Sequence, residues 1–545
     1  MPTDIEIAQA ARLIPIQDIA AGLGLADAEF EPYGRDKAKV NAQRPARGQL
    51  ILVTATSGTP AGSGKTTTSI ALAQGLKRLG QSATLALREP SLGPCFGMKG
   101  GATGGGHSQV LPMEAINLHF TGDFHAITSA HNLLAALLDN AIHHGQVDLK
   151  EVLWKRVLDV NDRQLRNIVS GLGGTANGQP AETGFDITAA SEIMAVLCLA
   201  DGEADLRRRL DALVIGLRPD GCAFTCGELG ATGALMALLA EAIKPNLVQS
   251  IEGNAAFVHG GPFANIAHGC NSLAATRAAL ALGDWAITEA GFGSDLGAEK
   301  FFNIKCRAAG LTPAATVLVT GLRALKWHGG VELAETGEAN REALVAGLAN
   351  LDRHLDNLER FGQKVVVSLN HFSGDSAEEI ELVAAHCRAR GARFAVSEGY
   401  AKGGAGAEAL AREVIAAATE SAPLRHTYAL EDSLEDKLAK ITAEVYGGAS
   451  VELSTAAQRD LARIRALGFE HLPVCVAKTP YSFSHDPALR GAPTGFTLPV
   501  ARLLINAGAG FIVATTGSIM RMPGLPKKPQ AFAIDLSEGR ITGLA

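Results

Sequence analysis

The stretch that decides the fold is residues 49–66, which read QLILVTATSGTPAGSGKT. Its first half contains the apolar run Leu50–Val53 with no breaker, which predicts a buried strand. Its second half is a glycine-rich loop ending in a Lys-Thr pair. From Thr66 to Leu79 the apolar residues recur at helical spacing, which predicts a helix with one buried stripe. Strand, glycine-rich loop, Lys-Thr and helix in this order indicate a phosphate-binding loop.

The residue types of this loop suit nucleotide phosphates. Glycines let backbone N–H groups converge on phosphate oxygens, and the helix N-terminus adds its positive end. Lys65 can contact the β- and γ-phosphates as a point charge, and the Thr66 hydroxyl can ligate Mg²⁺. The strict pattern has glycine where this chain has Thr59, and a plain strand-to-helix turn with an incidental lysine is the alternative. The predicted nucleotide-binding residues are Thr59, Pro60, Ala61, Gly62, Ser63, Gly64, Lys65, Thr66 and Thr67.

The same pattern of an apolar run followed by a glycine-rich turn recurs along the chain. Runs that are apolar on both faces suit buried parallel strands covered by helices, so the predicted class is α/β. We expect a parallel-sheet domain like that of the P-loop NTPases, with smaller α/β domains added. The predicted strands are Leu50–Thr54, Ala83–Leu87, Ala212–Gly216, Thr316–Thr320, Lys364–Leu369, Phe394–Val396, Val474–Ala477 and Phe511–Val513.

The composition and charge of the chain limit its possible binding partners and its cellular location. The net charge of −7 offers no basic footprint for nucleic acid. No apolar segment is long enough for a signal peptide or a membrane span. The eight cysteines are sparse and scattered, and Cys222 with Cys226 lacks the further ligands of a zinc site. These features predict reduced thiols in a cytoplasmic protein that binds neither membrane nor nucleic acid.

Further charged residues follow two predicted strands. Arg88 comes directly after Ala83–Leu87, at the sheet edge that carries the phosphate loop, where a guanidinium can grip a transferred phosphoryl group. Glu289 ends an apolar segment and can hold Mg²⁺ or orient a nucleophile. A surface ion pair for Arg88 and a structural role for Glu289 are the alternatives. The glycine-rich segment Lys99–His107 either approaches a ligand closely or is an exposed loop.

Eight blocks, in one order along nearly the whole chain, closely resemble formate–tetrahydrofolate ligases. They are TPAGSGKTTT (59–68), REPSLGP (88–94), MEAINLHFTGD (113–123), GPFANIAHG (261–269), residues 289–307, NHF (370–372), AKGG (401–404) and MPGLPK (522–527).

This resemblance implies a two-step reaction. Formate attacks the γ-phosphate of MgATP to give formyl phosphate, and N10 of tetrahydrofolate then takes the formyl group. The products are 10-formyltetrahydrofolate, ADP and phosphate. On the family pattern Lys65 and Thr66 hold ATP and Mg²⁺, and Arg88 grips formyl phosphate, so Lys65 and Arg88 are the predicted catalytic residues.

The resemblance also implies activation by a monovalent cation, K⁺ or NH₄⁺, and a homotetramer. Glu89, Ser91 and Asp123 match the cation-binding region of the family. No segment is long enough for a fused dehydrogenase–cyclohydrolase, so we expect a monofunctional protein.

By resemblance, Phe292, Phe372 and Tyr400 match positions that stack on folate or nucleotide. Aromatic residues are only 5% of the chain, and each of these three follows a predicted strand. A role in the core is the alternative for each. Tyr400 stands where the family commonly has Trp, and Ser63 where it has Glu, and we expect activity to survive both changes.

We divide the chain at residues 340 and 445. Residues 1–340 form the predicted nucleotide-binding domain, 341–445 an α/β domain that contributes to the folate cleft, and 446–545 a C-terminal α/β domain. The polar, helix-like segment Glu332–Arg360 is the predicted connector. Rival functions are a P-loop kinase or ligase for another small acid, and a non-catalytic, ATP-gated binding protein.

Overall fold

The computed structural model describes residues 2–98, 103–420, 422–517 and 519–544. Its largest element is a twelve-stranded sheet. The strands are β1 (Phe30–Pro32), β2 (Ala38–Val40), β3 (Gln49–Ala55), β4 (Ala83–Leu87), β5 (Gly104–Gly105), β6 (Ser108–Leu111), β7 (Asn246–Ser250), β8 (Ala255–Val258), β9 (Trp285–Glu289), β10 (Ala315–Thr320), β11 (Val365–Asn370) and β12 (Arg393–Ser397).

The main path through this sheet runs β1-β2-β7-β8-β4-β9-β3-β10-β11-β12. Neighbours from β8 to β12 are parallel, whereas β1, β2 and β7 pair antiparallel at one end and β6 pairs antiparallel with β7. The strand that leads into the phosphate loop, β3, lies between β9 and β10. Loops following the parallel strands therefore meet at one edge of the sheet, on both sides of the phosphate loop.

Helices cover both faces of the parallel strands, which explains why those strands are apolar throughout. Leu50 and Leu52 face a core that includes the helices Leu273–Leu282 and Arg341–Arg360. Ile51 and Val53 face the opposite core, which includes Lys65–Arg78 and Glu408–Ala418. The prediction of an α/β protein with a large parallel sheet is confirmed.

A separate apolar core joins helices of the central chain segment to strands near the C-terminus. It contains residues of the helices Asp123–His143 and Glu192–Leu199, packed with the strands Val474–Ala477 and Phe511–Thr515. The other helices are Asp4–Ala10, Ile16–Gly22, Leu92–Phe96, Met113–Asn117, Glu203–Asp211, Cys226–Leu229, Thr232–Leu239, Arg307–Ala309, Leu322–His328, Ala377–Ala389, Gly399–Lys402, Leu434–Lys440 and Thr455–Ala466.

The remaining strands form small sheets of two or three strands. They are Glu151–Val152, Arg156–Val157, Ile168–Ser170, Ala181–Thr183, Phe185–Asp186, Val214–Leu217, Ala223–Thr225, Ser450–Leu453, Val474–Ala477, Thr497–Val500, Arg502–Asn506, Phe511–Thr515, Asp535–Ser537 and Arg540–Thr542.

Five predicted strands are confirmed as β3, β4, β10, β11 and β12. The run predicted at Ala212–Gly216 is instead Val214–Leu217, in a three-stranded antiparallel sheet. Val474–Ala477 and Phe511–Thr515 pair with each other, outside the large sheet. An apolar run indicates a buried strand, but it does not show which sheet the strand joins. That depends on which distant strands it pairs with.

The segment predicted as a connector packs into the molecule. Its helix begins at Arg341 and buries Leu344, Leu348, Leu351, Leu355 and Leu358 against the large sheet. The polar residues that suggested a linker occupy the other face of an amphipathic helix. The large sheet also continues across residue 340, because β10 pairs with β11 and β11 with β12.

Candidate active site

The phosphate loop spans the gap between the end of β3 at Ala55 and the start of its helix at Lys65. Gly62 and Gly64 have φ of 82° and 73°, a left-handed backbone that favours glycine. A Cβ added to Gly64 would lie 2.3 Å from the Asn370 side-chain nitrogen, so the loop passes directly over the end of β11. Pro60, Ala61 and Gly62 are exposed, which leaves the loop open to a ligand.

Lys65 and Thr66 begin the loop helix and are half-buried. The Lys65 ammonium donates to the Ser63 hydroxyl at 2.9 Å. The Thr66 hydroxyl donates to Glu289, at 2.9 Å to one carboxylate oxygen. Glu289 pairs in register with Val53 on β3, which brings its carboxylate to the loop. A hydroxyl beside a carboxylate at this edge is a donor set that suits Mg²⁺.

Arg88 follows β4 and points into the loop that starts at Gly261. Its Nη1 donates to the Pro262 carbonyl at 3.4 Å and lies 3.2 Å from where a Cβ of Gly291 would be. Its Nε is buried without a hydrogen-bond partner among the described residues. Arg88 is half-buried, and its described hydrogen bond goes to a backbone carbonyl rather than to a carboxylate. The guanidinium is held at the sheet edge with bonding capacity left for an anion.

Glu89 and Asp123 meet in a buried cluster. The Asp123 carboxylate accepts from the Lys39 ammonium at 2.5 Å and from the Asn246 amide at 2.7 Å. Burial and the neighbouring Asp123 raise the pKa of Glu89 well above its usual range. One Glu89 oxygen, Oε2, has no partner among the described residues. The raised pKa favours a protonated Glu89 beside an ionised Asp123, and a further cation at the cluster would favour ionisation of both carboxyl groups.

The hydroxyl of Ser91, the third residue predicted for the cation region, points to a different carboxylate. It donates to Asp159 at 2.6 Å, and the Leu92 amide donates to the other Asp159 oxygen at 2.9 Å. Burial raises the pKa of Asp159. Sequence reasoning missed both Asp159 and Lys39, since neither stands in a glycine-rich strand end.

The three predicted aromatic residues each follow a strand of the large sheet. Phe372 and Tyr400 follow the neighbouring strands β11 and β12, with exposed fractions of 42% and 45%. The Arg323 guanidinium lies 5.0 Å from the centre of the Phe372 ring. Phe292 follows β9, on the other side of the phosphate-loop strand. Its φ of 62° is rare for a residue with a side chain, and such strain concentrates at functional sites.

A buried polar network lies beneath the phosphate loop. The His354 ring hydrogen-bonds the Ser57 hydroxyl at 3.0 Å and the Ser294 hydroxyl at 2.6 Å. The Asn350 amide also donates to the Ser57 hydroxyl, at 3.0 Å. Burial lowers the pKa of His354 to about 3, so its ring is neutral. The next residue, Gly58, donates its N–H to the Pro480 carbonyl at 3.0 Å.

Two remote segments, the helix Arg341–Arg360 and the segment at Pro480, therefore bond the base of the loop directly. Close to it, the fully buried Lys478 ammonium pairs with Asp295 at 2.7 Å. No motif in the sequence revealed these residues, because their partners are distant in the sequence: Ser294 and Ser57 lie 60 and 297 positions from His354. Of the predicted segment Lys99–His107, residues 103–107 are described, and residues 99–102 lie outside the described ranges.

The fold and the site at the carboxyl edge of the large sheet together define a class of protein. It is an α/β protein whose strand, glycine loop and helix converge with an arginine and a carboxylate, an arrangement suited to nucleotide phosphates. A family model described as formate–tetrahydrofolate ligase matches residues 2–545.

Curated relatives match over the full length of both chains. Proteins named formate–tetrahydrofolate ligase are 56% identical in Paracoccus denitrificans, 55% in Parabacteroides distasonis and 55% in Maricaulis maris, each covering 100% of this chain and of the relative. The chain belongs to the formate–tetrahydrofolate ligase family.

Proposed function

We propose that this chain joins formate to tetrahydrofolate at the expense of ATP, giving 10-formyltetrahydrofolate, ADP and phosphate through formyl phosphate. The observation that carries the proposal is the convergence of Lys65, Thr66 and Glu289 at one loop of a chain from this family. Thr59–Thr67 would hold the nucleotide in the manner of a P-loop NTPase.

In the first step a formate oxygen attacks the γ-phosphorus and the bond to the ADP oxygen breaks. The protein contributes position and charge, because phosphoryl transfer of this kind needs little covalent chemistry from the enzyme. Lys65 stabilises charge on the β- and γ-phosphates. Arg88, with its unpartnered Nε, binds the phosphoryl group of formyl phosphate.

In the second step N10 of tetrahydrofolate attacks the formyl carbon. The phosphate leaves with the electrons of the C–O bond, and the N10 proton is lost. Phe372 and Tyr400 follow adjacent strands and present exposed rings, which supports a wall for the flat pterin. We assign Phe292 to the same ligand from the opposite side of the phosphate loop.

Two cations complete the proposal. Thr66 and Glu289 would hold Mg²⁺, which neutralises charge on the nucleotide phosphates when bound. Glu89 and Asp123 would hold K⁺ or NH₄⁺, with Ser91 and Asp159 beside them. Glu89 comes directly after Arg88 at the end of β4. A cation that neutralises the carboxylates of Glu89 and Asp123 would therefore stabilise the strand end that positions the Arg88 guanidinium.

The test is formation of 10-formyltetrahydrofolate from formate, MgATP and tetrahydrofolate, with and without K⁺. We expect product only with all three substrates, none with acetate in place of formate, and about a 10³-fold loss of kcat in Lys65→Ala. The matched control is Lys364→Ala, a partly exposed lysine just before β11 that faces Glu420, and this variant should keep full activity. ATP hydrolysis driven by another acid, or by a protein partner without tetrahydrofolate, would refute the assignment.

We also propose a homotetramer in the cytoplasm. Two separate segments carry exposed apolar residues: Val169 and Leu172 are 55% and 66% exposed, and Phe532 and Leu536 are 83% and 69% exposed. Two such patches suit a tetramer with two kinds of subunit contact. All eight cysteines are free and seven are buried, as expected for a reducing compartment.

Within the described ranges, no helix combines the length and the apolar character needed to cross a bilayer.

Light scattering on the purified protein measures the subunit number of the proposed tetramer directly. A mass of one subunit at micromolar concentration would contradict the tetramer.

A further inference from the structure

The first helix of the chain, Asp4–Ala10, reaches the predicted folate wall. One oxygen of the Asp4 carboxylate, Oδ1, accepts the Tyr400 hydroxyl at 2.9 Å and the Gly106 N–H at 2.9 Å. A residue at the start of the chain thus bridges the tip of an aromatic side chain to a glycine loop. The two partners of this oxygen are separated from Asp4 by 396 and 102 positions in the sequence.

The Tyr400 ring packs against the backbone of that glycine loop. A Cβ on Gly105 would lie 3.0 Å from the ring atom Cε2, and one on Gly106 would lie 2.9 Å from Cγ. The His107 N–H donates to the Tyr400 carbonyl at 2.9 Å. The backbone of Tyr400 and one side of its ring are therefore fixed by the loop, while 45% of the residue stays exposed to a ligand.

Asp4 is itself held firmly enough to act as an anchor. The Gln109 side-chain amide donates to the Asp4 carbonyl at 2.9 Å and to the Gly106 carbonyl at 2.9 Å. Ile5 and Ala8 of the same helix are buried in a small apolar cluster with Leu111. The first helix is docked on its apolar side, and its first turn presents Asp4 to the ring.

We propose that Asp4 is a positioning residue that fixes the orientation of the Tyr400 ring for binding tetrahydrofolate. The inference rests on the proposed role of Tyr400 as a folate wall. A half-exposed tyrosine without this contact samples several rotamers, and the ligand must then order it on binding. The Asp4 carboxylate oxygen, which also accepts the Gly106 N–H, holds the Tyr400 ring in one rotamer before the ligand binds.

The test is a double-substitution cycle on the full-length protein. Asp4→Ala removes the acceptor, and Tyr400→Phe removes only the hydroxyl. Each should raise KM for tetrahydrofolate about fivefold, the loss expected for one partly exposed hydrogen bond of about 1 kcal/mol, with kcat and KM for MgATP unchanged. The double variant should be no worse than either single one, since both remove the same contact. Asp4→Asn keeps an acceptor oxygen and should recover most of the affinity.

Glu6→Ala is the matched control. Glu6 lies in the same first turn and completes the capping box of the helix with Thr3, without touching Tyr400. It should weaken the helix but leave KM for tetrahydrofolate unchanged. Equal effects of Asp4→Ala and Glu6→Ala, or additive effects in the double variant, would overturn the proposal.

A second readout separates this inference from the proposed function. Burial and the bond to Asp4 raise the pKa of Tyr400. In an absorbance titration, the tyrosine that disappears in Tyr400→Phe should ionise at lower pH in Asp4→Ala. No change in that titration would overturn the contact and leave the ligase activity standing. A changed titration with an unchanged KM would overturn the positioning role alone, without bearing on Tyr400 as a folate wall.

Discussion

The two halves of the candidate site are built differently. The base of the phosphate loop is buried, and Ser57 and Gly58 are held by His354, Asn350 and Pro480 from distant segments. The folate wall is open, because Phe372 and Tyr400 each keep more than two fifths of their surface exposed. The nucleotide half is ordered before its ligand binds, whereas the folate half depends on a few contacts such as Asp4 with Tyr400. Substitutions at the buried loop base should therefore affect stability and nucleotide binding together, whereas substitutions in the folate wall should affect only affinity.

The largest effect after loss of Lys65 should come from Arg88→Lys. We expect kcat to fall about 10²-fold, because an ammonium lacks the planar fork that grips a phosphoryl group from two sides. The melting temperature should stay unchanged, since Arg88 has no ion pair to lose among the described residues. Steady-state kinetics and calorimetry measure both, and a kcat within threefold of the parent would remove Arg88 from the mechanism.

His354→Ala tests whether the loop base is a structural support. The buried Ser294 hydroxyl loses its partner and the Ser57 hydroxyl keeps only Asn350, so the free energy of unfolding should fall by about 2 kcal/mol. KM for MgATP should rise while KM for tetrahydrofolate stays constant. The control is His386→Ala, which removes a partly exposed hydrogen bond with Asp352 and should cost less than about 1 kcal/mol. Equal costs in urea unfolding would show that the network does not support the loop.

Phe372→Ala tests the open half. We expect KM for tetrahydrofolate to rise about tenfold through loss of stacking and apolar contact. The free energy of unfolding should stay nearly unchanged, because Phe372 is 42% exposed in the folded protein. Phe372→Leu keeps apolar bulk without a ring face and should retain only part of the affinity. A large loss of stability in Phe372→Ala would mean that this residue belongs to the core.

The smallest effect is a pH dependence confined to the buried half. Burial lowers the pKa of His328 to about 4 and of His354 to about 3, both well below the unfolded value near 6.5. Their contribution to stability is complete above about pH 6.5 and is lost as the pH falls toward 4, because the unfolded chain binds protons first. Burial raises the pKa of Glu192 and Glu299 to about 7, which acts in the opposite direction over the same range.

The informative quantity is therefore the difference in the pH dependence of the unfolding free energy between the parent and His354→Gln. Unfolding free energies measured from pH 7 to pH 5 should fall less steeply in the variant. Parallel curves would show that His354 does not titrate on unfolding.

Much of the sheet was predictable because its strands are apolar and β-branched on both faces, as in β3, β10 and β11. Strand β7 was missed, since Asn246, Gln249 and Ser250 interrupt its apolar run. The prediction that Arg88 and Glu289 reach the loop edge succeeded because parallel strands place their ends together. The support beneath the loop was not predictable, because Ser57 and His354 meet across 297 positions.

The measurement that tests the central claim most directly uses formate labelled with ¹⁸O. If formate is phosphorylated at the Lys65 loop, one formate oxygen must leave with the phosphate when N10 takes the formyl group. We predict one ¹⁸O in the phosphate for each 10-formyltetrahydrofolate formed, and loss of both products in Lys65→Ala. Phosphate without label, alongside normal formation of 10-formyltetrahydrofolate, would contradict the formyl phosphate route.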